Sequence, residues 1–74
     1  MIPNKILLHK LGLRIEEVRK EKALTQLQLG EAIGKPIKYI KRLEDGNLDV
    51  PAVDLIALSR ALGMTFSELM NFEI

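Results

Sequence analysis

The sequence contains no cysteine and no tryptophan, and its only histidine is His9. Without cysteine there is no disulfide and no thiolate metal site, so the fold must rest on packing alone. One imidazole is a poor start for a zinc site, and His9 reads as a solvated side chain. Long hydrophobic runs are missing too. Ile6-Leu7-Leu8 is far shorter than the roughly 20 apolar residues of a membrane span, and shorter than the apolar stretch of a secretory leader. The expectation is a soluble, cytoplasmic protein that makes no membrane contact. A Gly-rich phosphate loop, a nucleophile beside a base and a metal-ligand spacing are also lacking. Their absence argues against an enzyme, and no metal or other cofactor is expected.

What is present fits one small helical domain. The chain of 74 residues has room for a single domain over 1–74, with a core over 8–70 and a short tail at 71–74. Hydrophobic residues make up 47%, enough for one core, although a chain this short buries only about 60% of its unfolded surface. The net charge of +1 conceals an asymmetry. Residues 1–42 carry ten Lys or Arg against four acids, a balance of +6; residues 43–74 carry Arg60 against six acids, a balance of −5. That polarity predicts a basic half facing a polyanion and an acidic half turned away.

Apolar residues recur at helical spacing. Leu8, Leu11, Ile15 and Val18 predict a first helix from about Lys5 to Lys22, with Asn4 as N-cap and Gly12 as a weak point. Thr25-x-x-Gln28 is a capping box that opens a second helix. Along it Leu29, Ala32 and Ile33 face inward, and Gly34 supplies the left-handed end. Gly30 in mid-helix costs up to about 1 kcal/mol relative to Ala, which a close helix contact would explain. Pro36 begins a third helix whose apolar side is Tyr39, Ile40 and Leu43, and Asp45-Gly46-Asn47 ends it. Val53, Ile56, Ala57, Arg60 and Ala61 mark a fourth helix over 52–62, with Leu55, Leu58 and Leu62 widening its apolar face. Thr65-x-x-Glu68 caps a short fifth helix through Met70. No segment alternates convincingly enough for a strand. The fold class is all-α, a compact five-helix bundle.

Residues 25–46 have the layout of a helix-turn-helix, whose second helix lies in the DNA major groove. Gly30 lets the two helices approach, Gly34 makes the turn, and Ile40 pins the pair to the core. With Ile40 and Leu43 inward, the helical period turns Ile37, Lys38, Lys41 and Arg42 outward as base contacts. Lys and Arg donate to guanine O6 and N7, and Ile37 suits a thymine methyl. Gln26 and Asn47 stand where phosphate contacts are expected. Tyr39 divides evenly between a phosphate contact and partial burial with a wet hydroxyl. Charge alone would leave these cations an ordinary solvated face; the motif around them favours DNA.

Residues 11–70 resemble the helix-turn-helix domain of the phage Cro and repressor type, also called the XRE family. The landmarks are Leu11-Gly12-x-Arg14-Ile15, Val18-Arg19, Leu24-Thr25-Gln26, Leu29-Gly30, Ile33-Gly34, Tyr39-Ile40, Leu43-Glu44-x-Gly46, Pro51 and Ala61-Leu62-Gly63-Met64-x-x-x-Glu68-Leu69. The resemblance covers about four-fifths of the chain. It implies a lambda-repressor-like five-helix bundle that binds operator DNA as a homodimer and regulates transcription. It implies that Gln26 contacts a phosphate and that Ile37, Lys38, Lys41 and Arg42 face double-stranded DNA. It also implies a structural ion pair between Arg19 and Glu44, joining the first and third helices.

Three positions depart from the family pattern. Lys35 stands where Val or Ile is usual, which removes an apolar plug and offers a phosphate contact. Pro36 stands where Ser or Thr caps the recognition helix, and Ala52 replaces the cap of the fourth helix. The expected function is a sequence-specific transcriptional regulator, a repressor on an inverted-repeat operator. One alternative keeps the domain and changes the biology, to an antitoxin with a toxin as partner protein or a restriction–modification control protein. The other is an interaction module that has lost DNA binding. Met70, Phe72 and Ile74 are the candidates for a dimer seam, with Phe66 and Leu69 assigned to the core.

Overall fold

Gly12 is the point on which the helices close. The computed structural model describes residues 4–72. Its elements are α1 (Asn4–Glu21), α2 (Gln26–Ile33), α3 (Ile37–Glu44), α4 (Ala52–Ala61) and α5 (Phe66–Leu69), with no strand among the described residues. α1 packs on α3, α2 on α3 and α4, and α4 on α5. A Cβ on Gly12 would lie 2.6 Å from the carbonyl oxygen of Leu43 and 2.7 Å from that of Glu44. The glycine that reads as a weak point of α1 is its contact with α3.

Local chemistry sets the helix ends. α1 stops at Ala23, which adopts φ 57°, a left-handed conformation that costs a non-glycine residue about 1–2 kcal/mol. The Leu24 N–H then donates to Arg19 O at 3.1 Å. Thr25 caps α2 reciprocally with Gln28, and Gly34 ends it at φ 72°. The turn folds back at once, as the Lys35 N–H donates to Gly30 O at 2.8 Å. A Cβ on Gly30 would meet Lys35 O at 2.6 Å. Gly30 therefore admits the backbone of the turn, a closer neighbour than the Ile40 side chain. Pro36 gives α3 no side-chain cap.

The core comprises Leu11, Ile15 and Val18 of α1, Leu29 of α2, Ile40 and Leu43 of α3, Leu55 and Leu58 of α4, Leu62, and Leu69 of α5. On α4 the sequence pattern offers two stripes, and packing selects Leu55, Leu58 and Leu62. Val53 (70%) and Ile56 (43%) are left exposed, contrary to expectation. Phe66 is likewise exposed, whereas Leu69 is fully buried. Ala32 also faces solvent. Met70 and Phe72 pack against the core, and Ile74 lies outside the described residues.

α5 has only four residues and is held at both ends. Thr65 and Glu68 form its capping box. The Thr65 N–H donates to Glu68 Oε1 at 2.9 Å while the Thr65 hydroxyl accepts from the Glu68 N–H, and the contacts with Thr65, its amide first, hold the Glu68 carboxyl below its usual range. At the other end Arg14 donates to Glu68 O at 3.0 Å and to Leu69 O at 3.4 Å. No helix among the described residues is long and apolar enough to cross a membrane. Gly12→Ala is expected to lower stability by about 1–3 kcal/mol, the usual cost of overpacking. Urea unfolding checks this, and an unchanged midpoint would contradict the crossing described here.

Candidate nucleic-acid interface

The orientation of α3 rests on one buried carboxylate. Glu44, at the end of α3, is 5% exposed and Arg19 of α1 is 8% exposed. Arg19 Nε donates to Glu44 Oε2 at 2.7 Å and Nη2 to Oε1 at 3.1 Å, a bidentate pair. Nη1 donates to Leu24 O at 2.8 Å, tying the α1–α2 turn to the same guanidinium. The hydrogen bond to Glu44 is the main reason the Arg19 pKa lies above its ordinary value. Gln26 Nε2 completes the cluster by donating to Glu44 Oε1 at 3.0 Å. A carboxylate only accepts, so this contact fixes which end of the Gln26 amide points inward. The second Nε2 hydrogen has no partner among the described residues.

The other side of α3 is open. Ile40, Leu43 and Glu44 are buried, while Ile37, Lys38, Lys41 and Arg42 are exposed. At 3.6 residues per turn these four span roughly 140° of the helix surface. They form one continuous face about 7.5 Å long at 1.5 Å per residue, with Ile37 and Lys38 at its first turn and Arg42 at its last. Arg42 Nη2 donates to Asn47 O at 3.2 Å, bracing the loop after α3. The Asn47 residue itself is exposed.

A second polar cluster holds the entry end of α3. The Tyr39 hydroxyl donates to Asp54 Oδ2, and Lys35 Nζ lies 3.9 Å from the same oxygen. The Lys35 ammonium also sits 5.1 Å from the centre of the Tyr39 ring, within cation–π range. Burial, followed by the Asp54 contact, raises the Tyr39 phenol above its ordinary range. Lys35 and Tyr39, expected to meet phosphate, thus both have an internal partner on α4. This cluster stands where the family's apolar plug is missing.

Asp54 carries no motif signature, and only the packing of α3 and α4 on α2 brings it to Tyr39, fifteen positions earlier in sequence. It also qualifies the charge asymmetry. Part of the acidic half of the sequence lies against the start of α3 instead of turning away from it.

Comparison with known proteins fits this geometry. A family model described as helix-turn-helix matches residues 15–69. This chain belongs to the Cro/C1-type, or XRE, helix-turn-helix family. The match spans the Arg19–Glu44 cluster, the open face of α3 and Asp54. The restriction–modification controller protein C.AhdI from Aeromonas hydrophila is 34% identical, with TM-score 0.81 over 84% of this chain and 94% of that one. The clp gene regulator ClgR from Corynebacterium glutamicum is 28% identical, with TM-score 0.84 over 86% of this chain and 82% of that one. A hypothetical transcription factor, NHTF from Neisseria, shares the fold at 18% identity and TM-score 0.83 over 95% of this chain and 80% of that one. No curated protein matched. Family and neighbours place this XRE domain among DNA-binding transcription regulators.

Arg19→Met leaves Glu44 buried without a counter-charge. The expected loss is about 3–5 kcal/mol. Total stability for a domain this size is only about 4–11 kcal/mol. Thermal unfolding near pH 7 measures the loss, and a melting temperature like the parent's would show that the pair does not hold the helices together.

Proposed function

We propose that this XRE domain is a cytoplasmic repressor that binds an inverted-repeat operator as a homodimer. The observation that carries the reading is the exposed face of α3. Ile37, Lys38, Lys41 and Arg42 point away from a core to which the same helix is fastened by Ile40, Leu43 and Glu44. Lys38, Lys41 and Arg42 have the chemistry to donate to guanine edges, and Ile37 to meet a thymine methyl. Gln26, oriented by Glu44, and Asn47, past the end of α3, are assigned to phosphates on either side. Lys35 and Tyr39 are further phosphate ligands once released from Asp54.

The dimensions suit a dimer on DNA. The domain measures 34 × 23 × 21 Å. Half-sites one helical turn apart lie about 34–36 Å from centre to centre, so two copies with their long axes along the DNA meet between adjacent half-sites. The exposed apolar side chains Val53 and Ile56 on α4 and Phe66 on α5 are the proposed seam, in preference to Met70 and Phe72, which the core engages. Phe66→Glu is expected to convert the dimer to a monomer in sedimentation equilibrium. A dimer of undiminished strength would move the seam elsewhere.

The likeness to C.AhdI favours a second reading, control of a restriction–modification locus. A methyltransferase gene beside this one separates it from the first.

DNA binding of either kind must weaken steeply with salt, because each phosphate contact releases counterions. A domain that had kept the fold for protein contacts alone would show no such slope with random duplex. Lys41→Ala or Arg42→Ala is expected to weaken operator binding by about 1–3 kcal/mol and to relax base preference at one position. Fluorescence anisotropy with matched and mutated duplexes reads both effects. Unchanged affinity for every duplex would remove these side chains from the interface.

A further inference from the structure

The cluster at the entry of α3 has a consequence for affinity, which rests on the DNA-binding reading above. Lys35 and Tyr39 flank the start of the recognition helix, and Asp54 Oδ2 engages both. The Tyr39 hydroxyl has one hydrogen, and while Asp54 accepts it the phenol cannot donate to a phosphate. A carboxylate 3.9 Å from the Lys35 ammonium offsets its charge where a phosphate would meet it. Asp54 itself is fixed: it lies in the first turn of α4, its N–H donates to Pro51 O at 3.0 Å, and its side chain is 16% exposed. A carboxylate in the first turn is also favoured by the helix dipole.

We propose that Asp54 is a specificity-determining residue that acts from outside the recognition helix, by withholding Lys35 and Tyr39 from the phosphate backbone. Phosphate contacts strengthen binding to every sequence alike, and base contacts discriminate. An acid that suppresses one phosphate contact lowers the non-specific background and leaves Lys38, Lys41 and Arg42 free to read bases. The weakness of the Lys35–Asp54 pair is part of the device. At 3.9 Å, with the Lys35 side chain 39% exposed, the contact is close in kind to a surface pair, which is worth about 0–1 kcal/mol, so a well-placed phosphate can draw Lys35 away and a poorly placed one cannot.

The test uses the full chain and a random-sequence duplex, which needs no knowledge of the operator. Asp54→Asn keeps the shape and removes the charge. Releasing one cation to a phosphate steepens the slope of log K against log salt by about 0.9. It tightens binding by about three- to eightfold at 0.1 M salt. Asp49→Asn, an exposed acid in the loop before α4, measures the effect of merely losing a negative charge and is expected to leave the slope unchanged. Adding Lys35→Gln to Asp54→Asn should return the slope to the parent value. Thermal melting confirms that each variant is folded, and Asp54→Ser stands in if Asp54→Asn is not. A slope of the folded Asp54 variant equal to that of the parent or of Asp49→Asn would overturn the proposal. Failure of the parent chain to bind duplex with any salt dependence would instead overturn the DNA-binding reading beneath it.

Discussion

The crossing of α1 over α3 is the constraint on which the rest depends. Gly12 brings the α1 backbone against the carbonyls of Leu43 and Glu44. Arg19, two turns along the same helix, then locks Glu44 with two hydrogen bonds. Burying two charges is costly, and the attraction between them roughly repays that cost, so such a pair adds little net stability over an apolar replacement. What it supplies is direction. A bidentate guanidinium–carboxylate contact adds geometric specificity to the crossing of its two helices, and here one of them is the helix whose far side is left exposed. The same carboxylate turns the Gln26 amide, so the residue proposed as a phosphate ligand at the head of α2 is positioned by the group that positions the exposed face of α3.

The two ends of α3 are held by different physics. Its C-terminal end is buried, charged and fixed by the Arg19–Glu44 pair. Its N-terminal end has a proline instead of a capping side chain, and its anchor is the half-exposed cluster of Lys35, Tyr39 and Asp54. A rigid rear and a yielding entry suit a helix that must keep its register in the groove while its first turn adjusts to the backbone it meets. In this picture the absent apolar plug marks an exchange of packing for polar contacts that DNA can compete with.

Much of this was legible in the sequence because it is local. The capping boxes at Thr25 and Thr65, the left-handed Gly34 and the five helices all follow from spacing within a few residues. The face of α3 followed once Ile40 and Leu43 were assigned inward, since a helix with two fixed core positions has no freedom left in its rotation. The failures are tertiary. On α4, Val53 and Ile56 looked as apolar as the leucines beside them, and only docking against α2 and α5 decided which stripe was buried. Gly12 looked like a flaw in α1 because its reason lies on α3. Asp54 was invisible, since nothing within one helix predicts a partner fifteen residues upstream. Ala23, strained at the end of α1, gives no local sign of its conformation.

The central claim is that α3, held from behind by Arg19 and Glu44, presents a sequence-reading face to the major groove. Selection of bound duplexes from a random pool tests it most directly. The account predicts enrichment of an inverted repeat whose half-site centres lie about one helical turn apart. A pool that remains random after repeated rounds, with the protein folded throughout, would contradict it.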